Sequence, residues 1–290
     1  MCYKREMETF IDAHVHVQPW KMMKPEILER MSRNRNDMDV IRRVMESPVE
    51  FLKHMDHEGV EKAALINYVS PDIMGFTNEV NEFASDFCSS DPGRLIPFGS
   101  IQTSIREGQE VRIDTLLGKL KLRGIKIHPS HQCVYPNEYL TGNRSLLYLY
   151  LRCEQEGIPI MFHTGTSIFS GARNRYADPI YLDDVAVDFP KLKIILAHGG
   201  RPLWMNTCMF LVRRFPNVHM DISSIPPSKV LEYFPRLAEI ADRVLFGTDW
   251  PAPMVPGMRE NFEQFRQLPL TPEIRSKITK TNALRLFSDS

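Results

Sequence analysis

The feature that most restricts how this chain can fold is a series of eight short apolar runs, most of them followed by a stretch with helical spacing. The runs occupy residues 10–15, 62–67, 95–101, 124–128, 158–163, 192–198, 218–222 and 244–249. Short apolar runs bounded by Gly, Pro and polar clusters read as buried strands. Between them, residues 77–89, 109–120, 145–155, 203–214 and 228–241 carry helical periodicity. Successive runs lie about 25 to 35 residues apart, the length of one strand–helix–strand unit, but the first interval is about 20 residues longer. Strands alternating with helices predict a parallel sheet. Eight such units predict an α/β protein of the closed (β/α)8 TIM-barrel type, with a doubly wound sheet as the structural rival. The long first interval predicts a helical insertion at about 18–47, elaborating one domain over residues 1–290. On a barrel the insertion would stand at the C-terminal mouth. It would serve there as a lid, or as a surface excursion that helps two copies pair as a homodimer.

Composition excludes several function classes. Hydrophobic residues at 43% and charged residues at 25% are ordinary for a soluble globular chain. Lys plus Arg and Asp plus Glu are both 36, so there is no electrostatic footprint for nucleic acid or an anionic membrane. The longest apolar run, 146–151, is far shorter than the roughly 20 residues of a membrane-spanning helix. The N-terminus, MCYKREMETF, lacks the apolar stretch of a signal peptide. Cys2, Cys88, Cys133, Cys153 and Cys208 are odd in number, dispersed and without a CxxC pair. They read as buried, reduced thiols of a cytoplasmic protein. The expected partner is a small-molecule substrate.

Chemistry concentrates at the strand ends. His14, His128, His163, His198 and Asp249 fall at or near the ends of different runs, and His16 follows His14 by two. In a parallel barrel those ends converge on one face, so these six side chains would ring one mouth. On a strand, residues i and i+2 face the same side, so His14 and His16 could bracket one cation. Imidazole with carboxylate suits Zn2+ first, with Mn2+, Fe2+ or Co2+ as alternatives. Asp249 at the end of an apolar strand requires a cation or donor, unless it caps a helix. Lys126 shares a face with His128. Buried in a barrel it would need a partner: a substrate carboxylate, or a second metal bridged by its carboxylated amine, unless its strand faces outward. Asp221, ending the seventh run, either orients another group at the mouth or caps the next turn. His54 and His57 read as a solvated helix end, and His131 and His219 as residues without a role.

The ordered set IDAHVH, GIKIHP, MFHTG, ILAHGG and FGTDWP resembles the amidohydrolase superfamily, and most closely its amidohydrolase-related branch, which includes the aminocarboxymuconate semialdehyde decarboxylase group. The ending KTNALRLF is similar to that branch's C-terminal helix. The resemblance implies a metal-dependent barrel enzyme. In it, His14, His16, His163 and Asp249 would bind one divalent ion, and His198 would position the attacking water. Lys126 lies on the strand that carries the carboxylated lysine of two-metal members, but its context is not diagnostic. The leading expectation is a hydrolase in which Asp249 and His198 move protons and a metal-activated water attacks an amide, ester or lactone carbonyl. Lys126 and His128, with Arg173 or Arg175, would hold the substrate. The alternatives are a decarboxylase or hydratase on the same metal site, and a binding barrel without activity.

Overall fold

A computed structural model describes residues 7–288. Its eight strands are β1 Phe10–Val15, β2 Val60–Ile66, β3 Leu95–Gly99, β4 Gly124–Ile127, β5 Ile160–His163, β6 Ile194–Ala197, β7 Val218–Asp221 and β8 Val244–Leu245. Each is hydrogen-bonded in parallel to the next in chain order, as the strand–helix repeat predicts. The ring closes between β8 and β1 through Ala13 N to Phe246 O at 2.9 Å, Asp249 N to His14 O at 2.8 Å and His16 N to Trp250 O at 2.8 Å. The expected TIM barrel is therefore the fold, and the doubly wound alternative is excluded.

Two apolar layers build it. Alternate strand residues, among them Ile11, Ala64, Phe98, Met161, Ile195 and Leu245, fill the barrel. Ala283, Leu286 and Phe287, from the helix Asn282–Leu286 and its end, plug the bottom. The opposite strand faces pack against the surrounding helices in a larger core. Alternation breaks in β1, where the register shifts between Asp12 and Val15. Ala13 thus belongs to the interior cluster while its neighbour His14 turns into the mouth.

The helices depart from expectation at identifiable points. The segment 228–241 is not one helix but three short turns, Pro227–Lys229, Val230–Tyr233 and Leu237–Arg243. Pro235 causes the break: it pushes Phe234 out of the helical region, to φ −127° and ψ 72°. The helix Leu182–Asp188 escapes a periodicity reading because it has only seven residues. The insertion forms two helices, Pro25–Ser32 and Met38–Glu46, and Gln18 and Met31 reach the mouth. Arg35 ties it down. Its guanidinium pairs with Asp37 and donates to the carbonyls of Pro251, Ala252 and Val255 at 3.1 to 3.3 Å, beyond β8.

Cys88, Cys153 and Cys208 are buried free thiols as expected, whereas Cys133 is exposed; Cys2 lies outside the described residues. His57 is solvated, but His54 is half-buried against Trp250, with ring centroids 5.0 Å apart. No helix among the described residues is long and apolar enough to cross a membrane.

Candidate active site

The strand ends release their functional side chains by leaving the sheet. His198 and Asp249 follow β6 and β8 directly or after a few residues, with φ of +64° and +69°. Non-glycine residues seldom adopt this left-handed region, and it is enriched at functional sites. Here it swings both side chains over the barrel axis. Gly247 makes room beneath: a Cβ there would lie 2.8 Å from the His14 Cβ.

Three donor atoms meet at one point. The Nε2 atoms of His14 and His16 are 3.3 Å apart, and Asp249 Oδ1 lies 3.4 Å from the first and 3.0 Å from the second. His198 also presents a ligand atom within 4.8 Å of those of His14 and Asp249. The other ring nitrogens are committed. His14 Nδ1 donates to Asp221 Oδ2 at 2.9 Å, His16 Nδ1 to the Ile66 carbonyl at 3.0 Å, and His198 Nδ1 to the Ser223 carbonyl at 3.2 Å. With each Nδ1 carrying the proton, all three Nε2 atoms are bare acceptors, and Asp249 adds a fourth. Acceptors packed this closely with no donor among them repel one another unless a cation lies between. A divalent ion bound at about 2.0 to 2.2 Å by His14, His16 and Asp249 would space their donor atoms at about 3 to 3.5 Å, the spacing found. The donor set therefore fits a metal.

Burial holds His14, His163 and His198 neutral, as ligation requires. It lowers His14 to about 4, with Lys126 adding to the effect and Asp221 opposing it. It also lowers His163 and His198 well below the usual histidine range. Burial alone would raise Asp249, but the adjacent His16 and His14 outweigh this and hold it low. Asp221 is likewise low, because His14 overcomes its desolvation. Asp12 behaves differently: desolvation raises it to about 7 despite its hydrogen bonds from Thr248.

His163 is buried at the same mouth, and its Nε2 has no hydrogen-bond partner. Its ring stands 4.7 Å from that of His198 and stacks on His128 at 3.8 Å. His131 stacks on the other side of His128 at 3.5 Å and bonds Ser167 Oγ at 2.8 Å. His131 is thus a buried helix residue in a column of three imidazoles. Lys126 faces inward. Its Nζ is buried without a partner, and desolvation lowers it to about 8.

A cavity of about 600 Å³ opens above these groups. Its wall includes His16, Lys126, His128, His163, His198 and Asp249, so the structure gathers seven of the sequence-selected groups once His14 beneath them is counted. Arg173 and Arg175 do not line it, and Arg175 instead packs on Tyr176. The segment 130–143 also stays off the wall, while 164–178 and 250–257 contribute Phe169 and Val255. Asp221 resolves in favour of orienting His14. Tyr68, Ser223 and Arg201 were not singled out. Of these only Ser223 left a trace in the sequence, two residues beyond Asp221 in MDISS.

Comparison with known proteins agrees with the geometry. The amidohydrolase family model matches residues 11–288. No curated protein sequence matches. Among solved structures, an uncharacterised TIM-barrel protein of Bordetella bronchiseptica superposes with a TM-score of 0.77 at 24% identity, covering 97% of this chain and 99% of that one. The 2,6-dihydroxybenzoate decarboxylase of Rhizobium gives 0.70 at 19%, with 97% and 99% covered. A dihydroxybenzoic acid decarboxylase of Polaromonas, crystallised with manganese and 2-nitroresorcinol, gives 0.67 at 16%, with 97% of each chain covered. At these identities the superpositions speak for the barrel alone. The family match is what extends the assignment over nearly the whole sequence, and with it this chain belongs to the amidohydrolase family of metal-dependent enzymes.

Proposed function

We propose that the protein is a metal-dependent lyase that decarboxylates a small aromatic or unsaturated acid without oxidation. The observation that carries this reading is Lys126: a buried ammonium with no partner, on the wall of a largely apolar cavity that also holds the clustered metal donors. A buried ammonium with no hydrogen-bond acceptor is costly even with Asp221 and Asp249 in electrostatic reach, and a substrate carboxylate is the natural partner. Tyr68 and Phe169 give the cavity aromatic walls suited to a flat substrate. Fold neighbours that are decarboxylases of dihydroxybenzoates support the same choice over hydrolysis.

His14, His16, His163 and Asp249 would hold one divalent ion, Zn2+ or Mn2+, both of which accept imidazole and carboxylate. When bound, the ion supplies Lewis acidity toward an anionic substrate oxygen. Lys126 pairs with the carboxylate, and His128, fixed between two rings, forms the wall beside it. The carbon–carboxylate bond breaks, CO2 leaves, and the electron pair stays on the ring carbon. Asp249 or His198, after taking up a proton from solvent at the mouth, then delivers it to that carbon. Ser223 orients His198 for this, with its Oγ 2.9 Å from Nδ1.

The test is CO2 release from a panel of hydroxybenzoates by metal-loaded protein, run beside amide, ester and lactone hydrolysis. Carboxylate or amine release from the second panel, with no CO2 from the first, would return the assignment to a hydrolase.

A further inference from the structure

Two arginines stand at the mouth and are treated in opposite ways. Arg35 is saturated, with a carboxylate and three carbonyls around its guanidinium. Arg201 lines the cavity with no hydrogen bond or ion pair to its side chain among the described residues, and its Nε is buried without a partner. A structural arginine in this setting would be bonded as Arg35 is.

The backbone beneath Arg201 is fixed. Arg201 N donates to His198 O at 3.1 Å, and Arg201 O accepts from Thr166 N at 3.0 Å. Gly200 N donates to Thr164 Oγ1 at 3.1 Å. Gly165, at φ +98°, permits this close approach, since a Cβ there would lie 2.2 Å from Arg201 O. The guanidinium is thus borne on a rigid turn three residues after His198, within electrostatic reach of Asp249 and Asp221 but in an ion pair with neither. With Lys126, the cavity wall carries two cations that no carboxylate among the described residues contacts directly.

We propose that Arg201 is a specificity-determining residue that receives a second anionic group of the substrate, so that the site selects dianionic acids over monocarboxylates. A planar guanidinium offers paired donors that match a carboxylate, which a point charge does not. The inference rests on the reading above, in which the first carboxylate is held at Lys126.

Calorimetric titration of the manganese-loaded protein with benzene-1,3-dicarboxylate and with benzoate tests it. The wild type should bind the dicarboxylate about 10- to 100-fold more tightly, the range expected of a charge-assisted hydrogen bond. Arg201→Met should bring the dicarboxylate down to the benzoate level, with benzoate affinity and metal content unchanged. Arg201→Lys, which keeps a cation and most of the packing, should recover part of the preference. Dicarboxylate binding that is unaltered in Arg201→Met, equal weakening of both probes, or no preference in the wild type would each overturn the proposal. A preference that depends on Arg201, without CO2 release from any acid, supports the proposal and overturns the decarboxylase reading. CO2 release with the preference independent of Arg201 does the reverse.

Discussion

At the residue scale the site works by committing one nitrogen of each imidazole so that the other is left bare. Such outer partners typically change metal affinity 10- to 100-fold, so Asp221→Asn should weaken the metal by about that factor, read by competition with a chromogenic chelator. Proton transfer is separable from ligation. His198→Asn should keep the metal nearly stoichiometric while turnover falls about 10²- to 10⁴-fold. Metal lost in that variant would instead make His198 a ligand. Lys126 adds a pH signature. Burial lowers it to about 8, so its charge is present below that pH and lost above it. Carboxylate affinity should therefore fall as pH rises through about 8, where an ordinary lysine would hold its charge to about 10. Benzoate titrations across that window should show the decline in the wild type and a flat, weak affinity in Lys126→Met. The strand-end histidines and Asp249 were legible because a parallel barrel sends its strand ends to one place. Arg201 and Tyr68 were not, because an isolated arginine or tyrosine in a loop carries no periodicity, and only three-dimensional placement shows that the arginine lacks a partner.

At the scale of elements, the strands could be read because each is a short apolar run, while their ends could not. The run 244–249 forms a ladder only over Val244–Leu245, since its later residues turn to close the ring and to present Asp249. Function here overrides the strand pattern, and the left-handed backbone at His198 and Asp249 records it. The insertion was legible as excess length but not as a contact, since nothing in its composition marks Arg35 as its tether. That tether makes a prediction. Arg35→Met removes a nearly buried guanidinium with its bidentate bond to the partly exposed Asp37 and three carbonyl contacts, so it should destabilise the protein by about 1 to 3 kcal/mol in urea unfolding. Hydrogen exchange should quicken around residues 33–37 and 251–257 while the barrel strands stay protected. Uniformly faster exchange would mean that the insertion supports the whole barrel and not the mouth alone.

At the scale of the whole molecule, the seam between β8 and β1 is a weak line of the barrel. β8 has only two residues, and closure depends on a few hydrogen bonds: Ala13 N to Phe246 O, His16 N to Trp250 O and, in the other direction, Asp249 N to His14 O. The proposed ligands straddle that line: His14 and His16 come from the β1 side and Asp249 from the β8 side. A cation among them would join the first and last strands, and without it their acceptors repel across the seam. Metal and barrel stability should therefore be coupled. An ion that binds only the folded state at a concentration of 100 to 1,000 times its Kd stabilises by about 3 to 4 kcal/mol. For a chain of this size that corresponds to a Tm change of about 5 to 10 °C. Chelation should lower Tm by that order, and one equivalent of Zn2+ or Mn2+ should restore it. The loss should be local before it is global, with the amides of Ala13, His16 and Asp249 exchanging faster in the chelated protein and those of β3 and β4 unchanged. His14→Ala combined with His16→Ala should already show the fast seam, and chelation should not change it further. If chelation moves Tm equally in the double variant, the ion that stabilises the protein is bound elsewhere, and the seam owes nothing to the histidines that border it.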